Sequence, residues 1–161
     1  MRGARTGARN EGGNRYAPRT GIPALREQIA RKTERLYGRK VNADTEVTVT
    51  SGATEALFAA IAAVVRTGEE VIVLDPCYDS YEPAIELAGA RAVHLPLTLP
   101  DFSLDGQRVK HAVPPQARML LINAPHNPSG VVLNAGALAL LAELERGTES
   151  LGLSDEAYEH I

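Results

Sequence analysis

Between residues 46 and 155 the sequence switches repeatedly between two periodicities. Short apolar or alternating runs (EVTVT at 46–50, EEVIVLDP, ARAVHLPL, ARMLLINAP, SLGLSD) are separated by segments with helix-like spacing or composition (EALFAAIAAVVRTG, YEPAIELAG, LDGQRVKHAV, NAGALALLAELERG). A strand whose neighbours in sequence are helices pairs in parallel with the next strand, and its apolar run is buried from both sides. The chain therefore reads as α/β: a three-layer α/β/α arrangement around a mostly parallel sheet. Ahead of these elements, residues 22–36 carry Ile22, Leu25, Ile29 and Leu36 near helical spacing, with Pro23 in the first turn and Gly38 after the last, which predicts an amphipathic helix with a basic outer face. Residues 56–65 are apolar nearly all round, which predicts a buried helix.

Residues 1–13, MRGARTGARNEGG, hold almost nothing that could be buried and are expected to form a disordered or shortened arm, leaving one folded region over 14–161. The net charge of −3 gives no basic surface for nucleic acid or an anionic membrane, and neither partner is expected. No apolar run reaches the roughly 20 residues that span a bilayer. The single cysteine, Cys77, has no partner in the chain for a disulfide, so a reducing cytoplasm is the expected compartment.

Open parallel sheets gather ligands outside the carboxyl ends of their strands. Four unusual stretches fall at that kind of position: TSGATEA, DPCYDSY, NAPHNPSG and SDEAY. Ser51, Gly52, Ala53 and Thr54 make a strand-to-helix turn whose free N–H groups suit an anion such as phosphate, and the same residues also suit a plain helix N-cap. Tyr78 and Tyr81 place rings on a loop in a chain that is only 4% aromatic, where they could stack on a flat ligand or cap the sheet. Asn127 sits between two prolines, a rigid mount for an amide or an ordinary Asn-Pro turn. Asp155 at a strand end needs a cation or donors if buried, unless it caps a helix. His126 has no second His or carboxylate at metal spacing in the chain, so no metal is expected.

Taken in order, NRYAPRTGIPALRE, TSGATEALFAAI, DPCYDSYEP, NAPHNPSG and SDEAYEH resemble the class I/II aminotransferases, the fold-type I pyridoxal-phosphate enzymes, and most of all their methionine and kynurenine (glutamine) transaminases. The resemblance runs from Asn14 to Ile161 and implies part of that family's large, cofactor-binding domain. It implies that Gly52, Ala53 and Thr54 hold the phosphate of pyridoxal 5'-phosphate, and that Tyr78 stacks on its ring. Asn127 and Tyr158 would hydrogen-bond its phenolic oxygen, and Asp155 would pair with its ring nitrogen. Tyr16 would reach the phosphate of a neighbouring subunit, implying a homodimer. The implied reaction moves an amino group from an amino acid to a 2-oxo acid. The family's Schiff-base lysine lies beyond the SDEAY stretch, and Lys32, Lys40 and Lys110 are not at its position, so the chain is expected to be a fragment, inactive alone. A C–S β-lyase on the same fold, and a non-catalytic domain that binds a phosphate-bearing ligand or pairs with a full-length subunit, are the alternatives.

Overall fold

The structure is a computed structural model describing residues 16–106, 109, 114, 117–146 and 148–161. It divides into two compact units, Met1–Ser51 and Gly52–Ile161. In the first, helix α1 (Pro23–Tyr37) starts on a proline and stops where Gly38 takes a left-handed φ of 66°, its N–H donating to the Glu34 carbonyl. Its apolar stripe stays open: Ile22, Leu25 and Leu36 are exposed, and Val47 is the unit's one buried hydrophobic residue among those described. What α1 buries is Arg26, whose guanidinium donates to the Ala43 carbonyl at 2.7 Å and pairs with Asp44 at 3.2 Å. The expected strand at 46–50 is not formed. A strand needs a partner ladder, and among the described residues this segment joins none: the Val49 N–H donates to the Thr20 carbonyl and the Glu46 N–H to the Asn42 carbonyl, neither of them in a strand.

The second unit follows the predicted alternation: α2 (Ala53–Val64), β1 (Glu70–Asp75), α3 (Tyr81–Leu87), β2 (Arg91–Pro96), β3 (Met119–Asn123), α4 (Ala135–Arg146) and β4 (Leu151–Asp155). The four strands form one sheet in the order β2-β1-β3-β4, and every pairing is parallel. Six of the ten residues of the helix expected within 104–113 lie outside the described residues.

Strand alternation sorts the core into two layers. Val71 and Val73 of β1, with Met119 and Leu121 of β3, pack on Leu57 and Ile61 of α2 and on Tyr81 and Ile85 of α3. Ile72 and Leu74 of β1, with Leu95 and Leu120, face Leu133 and Leu141 on the other side. Helices thus cover both faces, the expected three layers. Helix α2 differs from its predicted full burial: Leu57 and Ile61 are its buried residues, and Phe58 is exposed. Composition alone marks such a helix as apolar, but the sheet is wide enough to cover only one of its faces.

The chain reaches β2 on one side of β1 and then returns to lay β3 on the other side. The connections therefore diverge between β1 and β3, and a crevice opens at the carboxyl ends of those strands, the usual ligand position in this architecture.

Candidate active site

The crevice holds a cavity of about 100 Å³ whose lining includes Ala53, Thr54, Tyr78, Asn127, Asp155 and Tyr158. Six of the predicted site residues therefore come together from four separate stretches. Gly52 sits just outside them as the N-cap of α2, at φ 91° and ψ 167°. That backbone region is open essentially to glycine alone. The N-cap position therefore falls to Gly52 itself and not to Ser51 or Thr54. The first-turn N–H groups of α2, those of Ala53 and Thr54, have no carbonyl within the helix to bond, and they present a partial positive charge to the cavity.

Asp155 ends β4 and is buried. One carboxylate oxygen accepts the Tyr81 hydroxyl at 2.6 Å, and the other accepts the Ala157 N–H at 3.2 Å. A buried carboxylate keeps its charge only when donors replace the water it has lost, and these two groups do so. Residues 157–160 form a turn, and the bond from the Ala157 N–H closes an Asx-type turn on the Asp155 carboxylate. Tyr81 is fully buried on α3, and its ionisation is pushed far up by burial, then by its hydrogen bond to Asp155 and by that carboxylate's charge. The rings of Tyr78 and Tyr81 meet edge to face, with centroids 5.6 Å apart and planes at 76°. Tyr78 therefore borders the cavity while Tyr81 stands behind it.

Asn123, which sequence reasoning passed over, joins three parts of the site. Its amide donates to the Asp155 carbonyl at 3.0 Å and its side-chain oxygen accepts the Asn127 N–H at 2.6 Å, so the end of β3 holds both the end of β4 and the Asn-Pro loop. The signal available was its position: it is the last residue of β3 and the first of NAPHNPSG, and the β3–β4 register pairs it directly with Asp155. His126 is buried in the same loop, with Nδ1 2.6 Å from the Ser129 hydroxyl, and burial pulls its protonation down; it braces the turn. Tyr158 is partly exposed and also lines an adjoining cavity of about 300 Å³ with Asn127 and Ile161. Tyr16 belongs to the first unit, where it is fully exposed.

A carboxylate, an amide, a phenol, an aromatic face and a helix N-terminus around one crevice make a site with chemically distinct ends, able to orient a flat, phosphorylated ring. Comparison with known proteins identifies the family. The family described as aminotransferase class I and II matches residues 4–161. Methionine aminotransferase of Escherichia coli is 50% identical over 151 residues, which are 94% of this chain and 39% of that protein. Human kynurenine–oxoglutarate transaminase 3 is 35% identical over 158 residues, 92% of this chain and 35% of its own length. The solved structure of N-succinyldiaminopimelate aminotransferase from Mycobacterium tuberculosis superposes with a TM-score of 0.93 at 42% identity, covering 99% of this chain and 42% of that one. This chain thus spans about two fifths of the length of the relatives it matches, and it belongs to the class I and II aminotransferase family.

Proposed function

We propose that the protein carrying this chain is a pyridoxal 5'-phosphate-dependent aminotransferase that moves an amino group from an amino acid to a 2-oxo acid. In this reading residues 14–161 are part of its cofactor-binding large domain. The observation that carries the reading is the gathering of Thr54, Tyr78, Asn127, Asp155 and Tyr158 around one crevice at the carboxyl ends of the sheet, in a chain of this family.

The residues fit the cofactor end by end. The N–H groups of Ala53 and Thr54 would bind the phosphate, with Gly52 supplying the turn that aims them. Tyr78 would cover one face of the ring, and Asn127 and Tyr158 would donate to its phenolic oxygen. When bound, pyridoxal phosphate supplies an aldehyde that condenses with amines and a ring that takes up electrons from the substrate's α-carbon. Asp155 would hold a proton on the ring nitrogen, the atom at which that electron density collects. Tyr81 and Asn123 act behind it: one fixes the carboxylate and the other fixes the strand end that bears it. Tyr16 would reach the phosphate of a second copy in a homodimer, and the cytoplasm is the compartment that the lone cysteine favours. Methionine is the first amino donor to try, since a relative at 50% identity is a methionine aminotransferase.

The test is Asp155→Asn in the whole protein. The variant keeps the shape and loses the charge, so transamination should fall by about two powers of ten, an electrostatic contribution of about 3 kcal/mol, while folding and cofactor binding persist. Near-parental turnover, or activity lost only through unfolding, would show that Asp155 is structural.

A further inference from the structure

On the α3 side of the sheet, away from the cavity lining, the fold brings His94 to Asp75 and Cys77, which lie two residues apart in the sequence. Asp75 ends β1, Cys77 follows it in the loop, and His94 lies in β2 beside Val73. One ligand atom from each lies within 4.8 Å of the other two. We propose that Asp75, Cys77 and His94 form a binding site for a single zinc-like divalent transition-metal ion.

The set has the right chemistry. A thiol with an imidazole selects zinc and its neighbours over magnesium or calcium, which take oxygen ligands, and the carboxylate completes a three-ligand group with a fourth position open to water. The geometry is close to that of a bound site. Two ligands about 2.0–2.3 Å from one ion at a tetrahedral angle stand about 3.5 Å apart, so side-chain adjustments of about 1 Å close the ring. Asp75 and His94 are already nearer than that, with Nδ1 3.2 Å from the carboxylate oxygen.

A second observation points the same way. The other ring nitrogen of His94, Nε2, lies 3.5 Å from a carboxylate oxygen of Glu82 on α3. A carboxylate behind a histidine accepts a hydrogen bond from its outer N–H, which holds the proton there and leaves the inner nitrogen's lone pair free to ligate, an arrangement that recurs behind histidine ligands. Here it turns Nδ1, the nitrogen beside Asp75, toward the ion. The sequence expectation of no metal came from chain spacing around His126. These three ligands instead meet across two adjacent strands, which spacing along the chain does not reveal. An ion here would tie the end of β1 to β2 and stiffen the loop that carries Tyr78.

Cobalt(II) is the probe, because it replaces zinc and reports its ligands optically. Titrated into the purified protein, it should produce the sulfur-to-cobalt charge-transfer band of a thiolate ligand and the visible bands of four-coordination, saturating at one ion per chain and erased by added zinc. Cys77 is the one cysteine of residues 1–161, so a thiolate band from this site must come from it. Cys77→Ser should abolish the band. His94→Gln should weaken cobalt binding at least tenfold, and Glu82→Gln, which removes only the orienting carboxylate, by about ten- to a hundredfold. Far-ultraviolet circular dichroism on each variant separates lost ligation from lost folding. Absence of the charge-transfer band in the parent protein, or binding of unchanged strength in a folded His94→Gln variant, would overturn the proposal and leave Asp75 and His94 as an ordinary ion pair.

Discussion

Replacing Tyr81 with phenylalanine removes one oxygen and leaves the ring, its edge-to-face contact with Tyr78 and its place in the core. What is lost is the hydrogen bond to Asp155 at 2.6 Å, between a fully buried phenol and a buried carboxylate. Hydrogen bonds to charged groups contribute about 1.5–3 kcal/mol. With a urea dependence of about 2 kcal/mol per molar, a loss of about 2 kcal/mol should move the unfolding midpoint of Tyr81→Phe down by about 1 M. The pH dependence supplies a second signature. Burial and Asp155 raise the Tyr81 pKa in the folded state above its unfolded value. The stabilisation should therefore be complete below about pH 10, where tyrosine is neutral even in the unfolded chain, and should erode as pH rises above that toward the folded value. The parent's advantage over the phenylalanine variant should accordingly stay flat through neutral pH and narrow in alkali. Urea titrations at several pH values measure both. An unchanged midpoint at neutral pH, or an advantage that grows in alkali, would show that the hydroxyl does not secure Asp155.

Gly52→Ala should cost about 1–3 kcal/mol of stability from backbone conformation alone, because φ 91° and ψ 167° exclude an L side chain while nothing within 4 Å would touch the added methyl. Denaturant unfolding measures this, and equilibrium dialysis with pyridoxal phosphate should show affinity falling with it. Burial lowers the pKa of His126 in the folded state, so its neutral form stabilises the fold above the unfolded value of about 6.5 and that stabilisation is lost as pH falls below it toward the folded value. The difference in urea midpoint between the parent and His126→Gln should shrink over that acid window, and a constant difference would contradict the assignment.

The order and type of the second unit's elements were legible because residues 71–74 of β1 and 119–122 of β3 each face one of two apolar layers, which writes a continuous apolar run into the sequence. The run at 46–50 carried an equally good alternation, yet pattern records only a segment's readiness to pair, not the presence of a partner. Helix α1 shows the same limit: its stripe was read correctly as apolar and stays uncovered, while Arg26 is what the helix buries. At the candidate site, Thr54, Tyr78, Asn127, Asp155 and Tyr158, which line one cavity, were singled out because strand ends concentrate ligands and because their motifs occur in a family's order. Tyr81 was noted only as a ring beside Tyr78, since a hydrogen bond that spans 74 positions leaves no local trace. Asn123 was missed for a related reason. An asparagine closing a strand looks like the start of a turn, and only the β3–β4 register shows that it clamps Asp155.

The most direct measurement of the central claim is a crystal structure of the protein grown with pyridoxal 5'-phosphate. The account predicts the phosphate against the N–H groups of Ala53 and Thr54, the ring against Tyr78, and the ring nitrogen within hydrogen-bonding distance of the Asp155 carboxylate while Tyr81 keeps its bond to the same group. A cofactor bound elsewhere, or one bound in this crevice with its nitrogen turned away from Asp155, would contradict it.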